Sequence, residues 1–307
     1  MSWLRNTLRT WPGRLGAGLV ALLVLAVAVS YVWVPHDPLR VVPNEQWLGM
    51  SWDHWFGTDG AGKDLFSQVL VGARVSLFVA IASALIAGIV GTVLGVLSTV
   101  TPRFVGESTA HLIDVLIAIP TLVLALVLVG LFKGSLLTVS LAIGIGSGVV
   151  LARILRAELA RVLTQDYVMA AHAAGTSTWR TIRIHLLPNV APIAIVQLSL
   201  VAALAILAEA ALSYLGLTSR SRPSWGRTLG ELQTTVTVHP AAIIFPGVIL
   251  VLATLGFNLL GDGLRDATDP KLRSPATLTP LRSPATQVEA GRSSAGASSL
   301  ATDEVLP

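Results

Sequence analysis

The chain has 307 residues, of which 53% are hydrophobic and 12% charged, no cysteine and a formal net charge of +4, with a mean hydropathy of +0.73. A soluble domain carries roughly 25% charged residues, so this composition belongs in a bilayer. Without cysteine there are no disulfides, thiolate metal centres or cysteine nucleophiles, and a small positive excess in such a chain reports loop placement rather than nucleic-acid binding.

Stretches free of Asp, Glu, Lys and Arg run from Leu15 to Pro35, Val75 to Pro102, Val115 to Phe132, Gly134 to Ala152, Leu186 to Ala208 and Pro240 to Gly261. At about 1.5 Å per residue each crosses, or nearly crosses, a hydrocarbon core of about 30 Å. The fold class is therefore an all-α membrane protein with six transmembrane helices. Residues 1–14 form an N-terminal segment, 15–35 the first helix and 36–74 an external loop. A five-helix core spans 75–265 with an inner loop at 153–188, and 266–307 form a tail. Lys133 alone separates the third and fourth stretches, which predicts a turn over 132–137. Gly261, Asp262 and Gly263 read as a stop for the last helix.

The first apolar stretch follows Arg5, Arg9 and Arg14 and contains a small-x-small pattern at Ala26 to Ala28. It continues to Val34, longer than a signal-peptide h-region, so an uncleaved first span is expected. With the N-terminus inside, most of the basic residues fall on the cytoplasmic side, among them Arg103, Arg153, Arg156, Arg161, Arg180, Arg183 and Arg265. The bias predicts both termini in the cytoplasm, with Arg220, Arg222 and Arg227 in the last outer loop running against it.

The loop over 36–74 interleaves Trp47, Trp52, Trp55 and Phe56 with His36, His54 and acids. Such aromatics suit either the membrane interface or contact with an external protein. Within it, Gly57, Thr58, Asp59, Gly60, Ala61, Gly62, Lys63 and Asp64 nearly spell a phosphate-binding loop. Asp64 stands where a Mg²⁺-binding hydroxyl is needed, and no strand precedes the loop, so the reading is a polar turn.

The inner loop reads as helix, small-residue break, helix: Ala170, Ala171, Ala173 and Ala174 leave a low surface, and Gly175 interrupts. Thr176, Ser177 and Thr178 offer caps for the helix that follows. This segment fits a docking surface and a simple connector equally. Glu209 is the one acid abutting a span, placed for hydration, a helix–helix hydrogen bond or a pathway role. His111 and Asp114 share a helical face without a third ligand, His172 and His185 read as loop residues, and no catalytic or metal-binding signature is present. Beyond Pro270, Leu272 to Thr277 recurs as Leu281 to Thr286, followed by a Gly/Ser-rich run, and this composition predicts a disordered tail.

Several segments, taken together, resemble the membrane-spanning permease subunit of ATP-binding-cassette importers, in the oligopeptide, dipeptide and nickel branch and as the second, C-type, permease of the pair. They are Phe56 to Asp59 with Gly62 to Asp64, Gly72 to Leu77, Asp166 to Ala171 with Gly175, His185 to Asn189, Glu209 to Leu217, Pro223 to Gly226, and Phe257 to Asp266 ending at Asp269 and Pro270. The resemblance spans about residues 15–273 and implies the type I importer permease fold with a non-catalytic role. It implies an ATPase-coupling loop carried by Met169, Ala170, Ala171, Gly175, Leu187 and Pro188, with Met169 standing where the family has Glu. Gly57, Thr58, Asp59, Gly62, Asp64, Glu209, Trp225, Gly226, Asn258, Gly261, Asp262, Gly263, Arg265 and Asp266 are then family-motif structural residues. It further implies a sister permease, two ABC ATPases that hold ATP and Mg²⁺, an extracytoplasmic solute-binding protein and surrounding lipid in a prokaryotic inner membrane. No cofactor, metal or nucleic acid is expected on this chain. The implied cargo is dipeptides or oligopeptides, with nickel, a glycoside or another small solute as the alternative, and a channel or secondary transporter further behind.

Overall fold

A computed structural model describes residues 7–132, 134–218 and 221–268, with the side chain of His172 left aside. The repeats of the tail, Asp269, Pro270, Lys133 and Arg220 lie outside the described residues. Helices α1 (Trp11–Val32), α2 (Leu65–Val100), α3 (Arg103–Ile117), α4 (Thr121–Leu131), α5 (Leu136–Leu163) and α6 (Asp166–Ala173) come first. They are followed by α7 (Thr178–Tyr214), α8 (Trp225–Leu232) and α9 (Pro240–Thr268). The described residues hold no strand, only an isolated bridge between Thr58 and Asp64.

Helices α1, α2, α5, α7 and α9 are each long and apolar enough to cross a membrane, and α3 with α4 makes a sixth span if that bent pair counts as one. The chain is a multi-pass membrane protein. The pair bends by 81° at Ala118 to Pro120. Pro120 has no N–H to continue α3, and it forces the residue before it out of helical geometry.

Starts follow capping chemistry. Thr10 caps α1, Asp64 caps α2, Ser135 caps α5 and Ser224 caps α8, each side chain accepting from a backbone N–H three residues on. Because Asp64 caps α2, residues 65–74 are helix where a charge-free criterion read loop. Arg74 does not interrupt α2: its guanidinium donates to Ser30 Oγ at 2.7 Å and lies 4.1 Å from the Tyr31 ring centre. At the other end of the chain, α9 runs through Gly261, Asp262 and Gly263 to Thr268. Those glycines do not stop the helix, because they face other helices.

Packing between spans depends on small residues, since lipid offers no hydrophobic force to press helices together. In the α2–α5 pair, Gly91 and Gly95 receive Leu151 and Leu155, while Gly144 and Gly148 receive Ile86 and Val90. Helices α1 and α9 meet through Gly16 against the backbone of Leu260, Gly263 against Gly13, and Gly256 against Leu19. One buried cluster joins Leu23 of α1, Val69, Ala73 and Ala80 of α2, Ala202 and Ile206 of α7, Trp225 of α8 and Phe257 of α9. Another joins Leu151, Leu155 and Leu159 of α5, Val168 of α6 and Ile182, Leu186 and Val190 of α7, with Val96 and Val100 of α2 packed against it. The segment over 33–64 therefore sits at the start of α2 and α6 at its far end, about 50 Å apart at helical rise.

Candidate coupling surface and the cap at its far end

Helix α6 is short, and Val168 anchors it from beneath. Val168 is fully buried in the cluster at the end of α5, while Met169 is 53% exposed and Tyr167, Ala170, Ala173 and Ala174 are exposed with it. The helix ends at a Schellman-type turn: Gly175 takes φ of 79°, and Thr176 N–H donates back to Ala171 O at 3.1 Å. A Cβ on Gly175 meets nothing within 4 Å, so glycine is required there by the backbone and not by space. Ser177 opens α7 with no capping bond from its side chain, although its carbonyl accepts from Thr181 N–H at 3.0 Å.

The first turns of α7 pass through a π-helical stretch, Ile182–Leu186, before Leu187 and Pro188. Pro188 has no N–H to bond Ile184 O in the ladder, which accounts for the widened turn just upstream, and Pro192 leaves a second gap one turn further on. Asn189 Nδ2 donates to His185 O at 2.6 Å and to the Tyr167 hydroxyl at 3.0 Å, tying α6 to α7. The Tyr167 and His185 rings lie 5.9 Å apart. The result is a projecting surface of small side chains flanked by exposed Trp179, Arg180 and Arg183, on a buried foundation.

At the other end, the turn over 57–64 is closed on itself. Asp59 Oδ1 accepts from the backbone N–H groups of Ala61 at 2.8 Å and Lys63 at 2.9 Å, and Asp59 Oδ2 accepts from Gln68 Nε2 at 2.9 Å. The amides that would cradle phosphate are thus used internally. Thr58 Oγ1 accepts from Leu48 N–H at 2.8 Å and donates to Glu45 O. Gly57 and Gly62 both have φ near +75° and press against Leu48 O and Val42 O.

This turn is joined to α8. Gln68 Oε1 accepts from Thr228 Oγ1 at 3.0 Å, Trp225 Nε1 donates to Val69 O at 2.8 Å, and Lys63 Nζ pairs with Glu231 at 3.2 Å. Gly72 leaves room for the Trp225 ring, and Gly226 lies on the backbone of Ala210. The aromatics of the loop divide between two environments: Trp47 stacks on His239 at 4.1 Å and Phe56 on Phe245 at 4.2 Å, whereas Trp52 is 95% exposed.

Glu209 is 0% exposed, at the α7 end nearest α8. Its Oε1 accepts from Ser213 Oγ, Ser224 faces the same carboxyl, and Oε2 has no hydrogen-bond partner among the described residues. Ser213 Oγ lies 2.7 Å from Thr218 Oγ1, so the acid heads a chain of hydroxyls holding the α7–α8 connection. In α9, Gly261 abuts Ser199 Oγ, Asn258 is half-buried, Asp262 and Arg265 are exposed and Asp266 is half-buried. The motif residues consequently fall into three places: the α6–α7 surface, the 33–64 segment with the α7–α8 connection joined to it, and the last turns of α9.

Asp114 lies 4.0 Å from Arg153, both exposed. The structure instead brings together three residues that sequence reasoning left apart, His36, His54 and Asp64, whose ligand atoms all lie within 4.8 Å of one another. Their separations of 18 and 10 residues follow no periodic pattern, and the only sequence signal was the gathering of His and Asp around one glycine-rich turn.

Residues 87–274 match the family described as Binding-protein-dependent transport system inner membrane component. The Dipeptide transport system permease protein DppC of Bacillus subtilis is 38% identical over 84% of this chain and 82% of that protein. DppC of Alkalihalophilus pseudofirmus is also 38% identical, over 76% of this chain and 77% of its own length. The Glutathione transport system permease protein GsiD of Pectobacterium atrosepticum is 34% identical over 84% and 87%. Among solved structures, the inward-facing MetNI methionine ABC transporter superposes with a TM-score of 0.55 at 17% identity, covering 66% of this chain and 97% of that chain. At that identity the likeness is one of fold.

Proposed function

Because the chain belongs to the binding-protein-dependent transport system inner membrane component family, a family of transport components rather than enzymes, we propose that it forms half of the translocation pathway of an ATP-driven peptide importer. Dipeptides or oligopeptides are the cargo. The complex contains a sister permease, two cytoplasmic ATPases that hold ATP and Mg²⁺, and an extracytoplasmic solute-binding protein. Both termini lie in the cytoplasm of a prokaryotic inner membrane, which puts the α6–α7 surface on the ATPase side and the 33–64 cap on the binding-protein side.

The observation that supports this most is the α6 surface: exposed Met169, Ala170, Ala173 and Ala174 on a helix pinned by buried Val168. Small side chains let another body approach the backbone closely, and a rigid anchor passes a push on α6 into α5 and α7. ATPase closure would displace α6, and the shared cluster would carry that displacement into the spans. No group in this chain performs chemistry. Cargo choice resides largely in the binding protein, as a difference of affinities between solutes.

The test is purification of the tagged chain in mild detergent, identification of the co-purifying subunits, and ATPase assay with candidate binding proteins and peptides. A sister permease and ATPases are expected, with hydrolysis stimulated by a peptide-loaded binding protein. A lone chain that still moves solute would overturn the reading.

A further inference from the structure

We propose that His36, His54 and Asp64 form a binding site for a first-row divalent transition ion, with zinc as the natural probe. The inference does not depend on the transport reading. Two imidazoles and a carboxylate without a thiolate are the donor set that suits zinc, nickel or cobalt better than calcium or magnesium.

The geometry is near that of a chelate. Two ligands held about 2.1 Å from one ion lie about 3.0 to 3.4 Å apart for right-angled to tetrahedral arrangements. His54 Nδ1 and Asp64 Oδ1 are already 3.0 Å apart, and His36 Nδ1 is 3.9 Å from Asp64 Oδ2. The first two side chains are buried, whereas that of His36 is 43% exposed and free to close the remaining gap. These residues line a cavity of about 250 Å³ that also receives Asp37, Arg40 and Glu45, leaving room for water to complete an ion's shell. With three carboxylates and one guanidinium on that lining, the cavity favours a cation.

His54 provides the second, independent observation. Its Nε2 lies 3.6 Å from Glu45 Oε2 while Nδ1 faces Asp64, so both ring nitrogens point at carboxylates. An ion held by Nδ1 and Asp64 would leave Nε2–H directed to Glu45, the outer carboxylate that fixes a ligating histidine's tautomer. Asp64 Oδ2 meanwhile keeps its bonds to Ser67 N–H at 2.8 Å and Ser67 Oγ at 2.6 Å, which hold the carboxylate in place as a ligand needs. Since His36 follows α1 and Asp64 caps α2, a bound ion ties the exit of one span to the start of the next.

The experiment uses the full-length chain with whatever subunits co-purify, obtained in mild detergent through an affinity tag without histidine, stripped with chelator and desalted. Cobalt is titrated while its visible absorption bands are followed, and zinc binding is measured by equilibrium dialysis with elemental analysis. The expected result is one more equivalent per chain in the wild type than in His36→Ala, with affinity for that equivalent reduced at least about tenfold in the variant. His111→Ala, which removes a distant histidine, should bind as the wild type does. Equal binding by wild type and His36→Ala, or no such equivalent at about 100 µM zinc, would overturn the proposal. His36→Asn, which keeps a polar side chain at this half-exposed position, provides the same comparison should the alanine variant assemble poorly.

Discussion

Glu231 shows how much a single charge on α8 does for the cap. Burial alone would raise its carboxyl, but the hydrogen bond from Arg227 at 2.7 Å and the charges of Lys63 and Arg227 outweigh it and hold the carboxyl below its usual range. A depressed value means stability present above the unfolded carboxylate's pKa, near 4.5, and lost as pH falls through the folded value below it. Replacing Glu231 with Gln should therefore lower the melting temperature of the purified complex at pH 7. The gap from wild type should narrow as pH drops below about 4.5, and a gap that stays constant with pH would assign the effect to packing. Glu209 calls for the opposite treatment, because it is enclosed. Glu209→Gln keeps the acceptor for Ser213 and should retain most uptake, whereas Glu209→Ala removes that acceptor, leaving Ser213 only Thr218, and opens a cavity. The alanine variant should lose on the order of 2 kcal/mol or more. Uptake assays on proteoliposomes separate the two, and a glutamine variant as poor as alanine would show that the charge itself matters.

Among elements, the α6–α7 turn carries the sharpest expectation. Gly175 has φ of 79° with open space around it, so the backbone and not the volume excludes other residues. Asn visits that left-handed region readily, while a β-branched residue there is strained by roughly 1 to 2 kcal/mol. Gly175→Asn should accordingly preserve ATP-dependent uptake and Gly175→Val should reduce it severely at equal expression. Loss in both variants would show that a partner surface presses on this position. This turn was legible in the sequence because glycine, alanines and the Leu-Pro pair are local signals. The cap on α2 was not, because Asp64 reads as part of a polar turn until its side chain is seen to accept from Ser67 N–H. The break between α3 and α4 was missed, since a criterion of missing charge sees one apolar run from Val115 to Phe132 and ignores what Pro120 does to the backbone. The reach of α2 back to Leu65 and of α9 on to Thr268 was hidden for a related reason: Arg74 and the Gly261 to Gly263 stretch look like ends until their partners, Ser30, Ser199 and Gly13, are known. The His36, His54 and Asp64 group was illegible in the same way, as a property of tertiary contact.

At the scale of the whole molecule, α1 is the span that most needs its partner. Few residues of α1 are buried, and Gly13 and Gly16 are among them, pressed against α9. Helix association in lipid relies on such close approach, and a side chain at Gly16 would collide with the backbone of Leu260, which cannot move aside as a flexible side chain would. Gly16→Leu should therefore part α1 from α9 while leaving the α2–α5–α7 core assembled. Because the chain has no cysteine, the separation can be read with an introduced pair. A Cβ at position 256 comes within 2.9 Å of Leu19 Cβ, and a shift of somewhat under 1 Å brings the two to disulfide range. Leu19→Cys with Gly256→Cys should lose both free thiols on mild oxidation, scored by maleimide mass-tagging, and should keep them once Gly16→Leu is added. Cross-linking that survives Gly16→Leu would mean that α1 is held by contacts other than its glycine face, and would move the anchor to the polar clasp of Arg74 on Ser30 and Tyr31.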